Sequence, residues 1–124
     1  MKKVLVAEDD KFLIKAYAAK LKKSGLDVIL AVNGEEAVQK IKSEQPDIVL
    51  LDLVMPKKDG FEVLAEVQAE IKKNKMPVIV LSNLGQDEDV ERGKKLGVID
   101  YLVKSNTSIQ QIAERVKQVL DAKV

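Results

Sequence analysis

Five short apolar runs constrain this chain more than any other feature: Val4 to Ala7, Val28 to Ala31, Ile48 to Leu51, Val78 to Leu81 and Tyr101 to Val103. Each is rich in Val, Ile or Leu and shows no alternation with polar residues. Runs of this kind suit strands buried on both faces. The segments between them are longer and carry apolar residues at helical spacing. Strand and helix therefore alternate five times, which predicts a parallel sheet with helices on both faces.

The helical segments carry their own start and stop signals. Asp10 is placed to cap a first helix with Leu13, Ala16, Tyr17 and Leu21 inward, ended by Ser24-Gly25. Asn33 caps a second, with Ala37, Val38 and Ile41 inward, ending before Pro46. Phe61, Leu64, Val67 or Gln68, and Ile71 mark a third. Val90, Gly93 and Leu96 mark a fourth, opened by Asp87-Glu88-Asp89 and stopped at Gly97. Thr107 and Gln110 fit a capping box for the fifth, which buries Ile109, Ile112, Val116, Val119 and Leu120 and runs to Val124.

Composition excludes several chemistries. The 124 residues fit one domain over 1–124, and 46% apolar content suits a globular core. There is no Cys and no His, hence no disulfide, thiolate nucleophile, imidazole base or phosphohistidine on this chain. Lys and Arg number 21 against 20 Asp and Glu, and the lysine pairs are short and scattered. Such a balance predicts no direct nucleic-acid contact. The apolar start is broken at once by Glu8-Asp9-Asp10, too early for a signal peptide or membrane span, so the expected compartment is cytoplasmic.

In an open α/β sheet the site lies beyond the carboxyl ends of the strands. Glu8-Asp9-Asp10 follow the first run, Asp52 the third, Ser82 the fourth and Lys104 the fifth. Carboxylates gathered in one crevice repel one another unless a cation sits among them. A hard divalent ion with oxygen ligands resolves that conflict. Asp9 and Asp52 are candidate direct ligands, with Glu8 holding a water. Lys104 adds a positive charge and Ser82 a hydroxyl. Cations and a hydroxyl around a buried carboxylate suit phosphoryl transfer to an aspartate nucleophile.

These residues, with the turn Met55-Pro56-Lys57-Lys58-Asp59-Gly60 and Tyr101 on the fifth run, resemble the receiver domain of two-component response regulators over essentially the whole chain. The resemblance implies a flavodoxin-like five-stranded parallel sheet of order 2-1-3-4-5. It implies that Asp52 is the phosphoacceptor, and that Glu8, Asp9, Asp52 and the Val54 carbonyl bind Mg2+. It further implies that Lys104 pairs with the phosphoaspartate, that Ser82 moves toward the phosphoryl group, and that Tyr101 is the aromatic switch. The partners implied are a sensor histidine kinase or histidine phosphotransfer protein, and a downstream protein on the face of the fourth helix, fifth strand and fifth helix. The chain would be a monomer or weak dimer. It would be no enzyme beyond its own phosphorylation and a slow self-dephosphorylation, slow because Val54 and Leu84 stand where fast members carry polar side chains. Gly60 is expected to adopt a backbone angle that other residues resist.

Two positions depart from the family pattern. Ser105 follows Lys104 where proline is usual, and Asn83 follows Ser82 where a small residue is usual. A trans Lys104-Ser105 bond and an altered loop are expected. A pseudo-receiver that only binds proteins would lack one of Asp9, Asp52 and Lys104, and all three are present. A flavodoxin-like cofactor binder would need amides, not acids, in its first loop. A haloacid-dehalogenase-type phosphatase would need a larger chain and an aspartate where Val54 stands. A complete single-domain regulator is the plain reading of the length, a fragment of a longer regulator the other.

Overall fold

The computed structural model describes residues 1–83 and 87–122. It contains β1 (Lys3–Ala7), α1 (Lys11–Lys23), β2 (Asp27–Ala31), α2 (Gly34–Glu44), β3 (Ile48–Leu51), α3 (Gly60–Glu66), α4 (Gln68–Lys73), β4 (Val78–Ser82), α5 (Asp87–Lys95), β5 (Val98–Val103) and α6 (Ile109–Ala122). The strands form one parallel sheet in the expected order, β2-β1-β3-β4-β5.

The pleat divides each apolar run between two cores. Leu5, Ala7, Val49, Leu51, Val78 and Val80 pack with α2 and α3. Val4, Val6, Ile48, Leu50, Ile79 and Leu81 pack with α1 and α6. Every residue of β3 and β4 is buried, which is why those runs show no polar alternation.

The caps at Asp10 and Asn33 are present, each accepting backbone N–H bonds of the following helix. Gly25 and Gly97 take φ of 88° and 94° where α1 and α5 end, a left-handed turn that glycine enters freely. Other expectations need correction. In helix α1 Ile14 and Ala18 are buried beside Tyr17 and Leu21, while Leu13 packs against that core only half-buried and Ala16 is half-buried. The third helix is broken at Val67 into α3 and α4. There the Gln68 side chain donates to Leu64 O at 2.9 Å and to Leu96 O at 2.7 Å, tying the break to the end of α5. Strand β5 starts at Val98, before the apolar run, where its ladder to β4 begins with Val98 opposite Val78; Asp100 within it pairs with Arg115 at 2.6 Å. The capping box of α6 lies one residue later than expected. Ser108 N donates to Gln111 Oε1, and Gln111 N donates to Ser108 Oγ. Thr107 Oγ1 instead donates to Val103 O, and Ile109 is exposed.

Gly60 is also corrected. Its φ is not among the positive ones; what it supplies is close approach. Its N–H donates to Leu53 O at 2.8 Å, and a Cβ there would lie 2.6 Å from Asp52 O and 2.8 Å from Leu53 Cα. The loop after β3 thus folds back on the start of α3. Gly60→Ala should cost about 2–3 kcal/mol, since backbone cannot yield as a flexible side chain does. Urea unfolding measures it; a loss under about 0.5 kcal/mol, the usual size of a surface change, would contradict the close-approach account.

Candidate functional site

Strand register builds the site. Ala7 lies opposite both Ala31 and Leu51, so the next residues, Glu8 and Asp52, emerge side by side at the sheet's end. Glu8 N donates to Ala31 O and Asp52 N to Ala7 O, each at 3.0 Å. Ser82 lies opposite Val103, which sets Ser82 beside Lys104. Lys104 opens a short 3-10 turn, Lys104–Asn106.

The polar side chains then meet. Lys104 Nζ donates to Asp52 Oδ2 at 2.9 Å and forms a second ion pair with Glu8 Oε1. Glu8 Oε2 accepts from Asp10 N at 3.1 Å, and Asp52 Oδ1 accepts from Val54 N at 3.3 Å. Glu8, Asp52 and Ser82 are the buried polar residues among those described, only 2%, 5% and 1% exposed. Asp9 is exposed, yet an oxygen of each of Glu8, Asp9 and Asp52 lies within 4.8 Å of the others. The chain therefore gathers the acids, Ser82 and Lys104 as expected. Tyr101, half-buried on β5, shares a side-chain hydrogen bond with Ser82.

Electrostatics follow burial. Burial, the largest effect, pushes the Glu8 carboxyl up; the Lys104 bond opposes it, and the charge of Asp52 adds to it. Burial also pulls the Lys104 ammonium down, but its bonds to Glu8 and Asp52 together outweigh that and leave it raised. Burial raises the Tyr101 phenol, and the charge of Asp89 adds to this. Three carboxylates thus gather at one edge, and the single ammonium pairs with two of them, Glu8 and Asp52. This all-oxygen set fits a hard divalent cation, whose charge would offset what Lys104 leaves unbalanced.

Some features were not read from the sequence. Lys104 engages Glu8 as well as Asp52. Tyr17, on the inward face of α1, lies with Val6, Leu50 and Leu81 directly beneath Glu8 and Asp52; its aromatic at a core position was the available signal. Asn83 Oδ1 accepts from Ser105 N at 3.0 Å, so the two departures from the family pattern touch. The Lys104-Ser105 bond is trans, as expected, there being no cis bond among the described residues. Leu84 lies outside the described residues.

Comparison with known proteins agrees with this geometry. The family model described as response regulator receiver domain matches residues 4–117. The chain is 36% identical over 119 residues to the Bacillus subtilis alkaline phosphatase synthesis transcriptional regulatory protein PhoP, covering 96% of this chain and 48% of that protein. It thus spans about half the length of that curated relative. A Francisella response regulator receiver domain superposes with a TM-score of 0.89 at 33% identity, each chain fully covered at 100%. A chain of the CheX-CheY-BeF3-Mg+2 complex of Borrelia burgdorferi gives 0.85 at 31%, covering 95% of this chain and 88% of that one.

The raised Glu8 carboxyl has a consequence for stability. The folded state holds that proton more tightly than the unfolded state. Stability contributed by Glu8 therefore falls as pH rises past its ordinary value of 4.5, and levels off above the folded value. In chelator, wild type should lose ground to Glu8→Gln across that window, at a slope of at most about 1.4 kcal/mol per pH unit. Urea unfolding of both proteins from pH 4 upward tests this; a difference that instead grows in favour of wild type would mean that Lys104 pairing outweighs burial.

Proposed function

The chain belongs to the response regulator receiver domain family, and from that premise we propose that it is a phosphorylation-dependent switch in which Asp52 accepts a phosphoryl group from a partner's phosphohistidine with Mg2+. The observation that carries this reading is a buried aspartate 2.9 Å from a lysine, with two further carboxylates beside it. In the step, an Asp52 oxygen bonds to phosphorus while the P–N bond of the donor breaks. The imidazole leaves with that electron pair and gains a proton from solvent.

Glu8, Asp9, Asp52 and the Val54 carbonyl would hold Mg2+, which supplies charge that neutralises the crevice and the phosphoryl oxygens. Lys104 holds one Asp52 oxygen and pairs with the phosphorylated group. Ser82, at the wall of the same cleft, turns to hydrogen-bond the phosphoryl oxygen. Its existing bond to Tyr101 supports the role of that ring as the element that follows. The signal leaves by the face of α5, β5 and α6, where Val90, Lys94, Val98, Ile99, Asp100 and Tyr101 line a cleft of 250 Å3. The third helix being broken, these are the fourth and fifth helices of the sequence reading.

In this reading residues 1–124 act as one receiver domain, a monomer or weak dimer in the cytoplasm. No described helix is long and apolar enough to cross a membrane. The donor is a sensor kinase or histidine phosphotransfer protein, and the target is a protein; the domain itself touches no nucleic acid. Its chemistry is confined to its own phosphorylation and dephosphorylation.

Incubation with Mg2+ and acetyl phosphate, followed by intact mass, tests the acceptor. Wild type gains one phosphoryl group; Asp52→Asn and wild type in excess chelator gain none. Equal gain in Asp52→Asn, or in chelator, would sink the reading. A second outcome concerns lifetime. Val54 is 58% exposed at the cleft and cannot hydrogen-bond an attacking water through its side chain. Val54→Asn should speed hydrolysis by about tenfold or more, part of the hundredfold that a positioned polar group typically supplies. Loss of the phosphoryl group followed by mass checks this; unchanged decay means Val54 does not limit the water.

A further inference from the structure

The loop between β3 and α3 holds one residue in an uncommon conformation, and α2 sits against it. Lys58 N donates to Pro56 O at 2.8 Å, closing a three-residue turn on Lys57, whose φ is 70°. That is the rarer form of the γ-turn, strained for a residue with a side chain. Such strain persists only where neighbours hold it. The neighbour here is Gly34, the first residue of α2. Gly34 N donates to the same Pro56 O at 3.3 Å. A Cβ on Gly34 would lie 2.0 Å from Lys58 O and 2.6 Å from Lys58 C. Helix and turn therefore meet backbone to backbone, and a side chain between them would force one of them to move. Gly34 is itself held in place. Asn33 Oδ1 caps the helix by accepting from Glu36 N at 2.8 Å, and Ala37, Val38 and Ile41 fasten it to the core. Elsewhere in the loop, Met55 is buried in that core and Gly60 N returns to Leu53 O. The stretch 53–58 is thus tied at several points, and α2 supplies the hold on its strained turn.

The Val54 carbonyl belongs to that stretch. A side-chain ligand can be re-aimed by a change of rotamer, whereas a carbonyl points where the backbone path sends it. We propose that Gly34 is a positioning residue for the cation: its contact with the turn at Lys57 sets the loop path that presents the Val54 carbonyl beside Glu8, Asp9 and Asp52. The inference rests on the reading of those groups as the Mg2+ ligands. Gly34 acts through Pro56 and Lys58 rather than as a ligand, in the way that outer partners of a metal site orient the groups that bind.

The test titrates Mn2+, which suits the same oxygen ligands, into the full chain and reads the free ion by EPR, where circular dichroism shows each variant folded. Gly34→Ala should weaken binding by about tenfold, the lower end of what loss of an outer partner typically costs in metal affinity. Ile41→Val, further along the same helix, loosens the core without touching the turn and should bind as wild type does. Urea unfolding of both variants measures the stability each has lost. Lys57→Gly should bind within about twofold of wild type, because glycine takes φ of either sign and the exposed pair it removes, Lys57 with Glu35 at 3.8 Å, is worth little. The contact from Gly34 still holds the turn in that variant. If Gly34→Ala does not fold, the double variant Gly34→Ala with Lys57→Gly, whose turn can yield to the added methyl, takes its place and should show the same loss. Wild-type affinity in Gly34→Ala or its replacement overturns the proposal. So does an equal loss in Ile41→Val, since lowered stability alone would then account for it. A comparable loss in Lys57→Gly also overturns it, because the turn would then be held by Lys57 itself. Wild type that binds no Mn2+ overturns the cation site and the positioning role together; binding indifferent to Gly34 overturns the positioning role alone.

Discussion

A single ammonium, that of Lys104, is shared between two carboxylates that the core has almost sealed from water. Without it, Glu8 and Asp52 would be buried like charges a few ångströms apart, an arrangement that folded proteins avoid by neutralising one of them. The lysine reaches them from β5, two strands away from β3 in the sheet. Strand spacing makes that about 9–10 Å, a span that needs a long cationic side chain with its stem lying along the strand ends. The sheet order therefore dictates the residue type. The bargain is incomplete, since burial still pushes the Glu8 carboxyl up, and the site retains room for a further positive charge.

How much of this could be read from the chain depended on how many positions satisfied each rule. Glu8, Asp52, Ser82 and Lys104 were legible because each sits where an apolar run stops, and parallel register carries all such ends to one edge. The phase of α1 was legible only in part: Tyr17 and Leu21 are buried and Leu13 packs half-buried, but Phe12-Leu13-Ile14 offers adjacent apolar residues and the period alone did not single out Ile14. Thr107 and Ser108 each have a glutamine three residues on, so both satisfied the capping pattern, and the competing bond from Thr107 to Val103 O decided the matter. The break at Val67 was invisible because Leu64, Val67 and Ile71 continue the stripe across it; a side chain, Gln68, replaces the lost backbone order. The role of Gly60 was misjudged for a related reason. A sequence shows that glycine is present, but not whether an angle or a neighbour calls for it. The touching of Asn83 and Ser105 joins two loops and could be known only in three dimensions.

The same contacts tie the acidic edge to the far face of the molecule. Ser82 ends β4 and shares a bond with Tyr101 on β5, while Gln68 ties the α3–α4 break to the end of α5. Arg92 of α5 also stacks over Phe61 of α3, 4.1 Å from the ring centre, a cation–π contact that braces the helix from the other side. Helix α5 is thus held to the rest of the domain by polar and aromatic tethers, and it buries only Gly93 of its own residues. An element held this way shifts at lower cost than one locked by a deep apolar face.

The bond between Lys104 and Asp52 joins residues 52 positions apart, and those joining strands across the sheet are similarly remote. Contacts of this span form late, since the chain must first surrender the freedom of the intervening loop. Local pieces such as α1 or α2 with its cap can appear early and still possess no acidic pocket and no paired lysine. The site is consequently a certificate of completed folding: until the sheet has closed, the acids and the lysine that make it up are not neighbours.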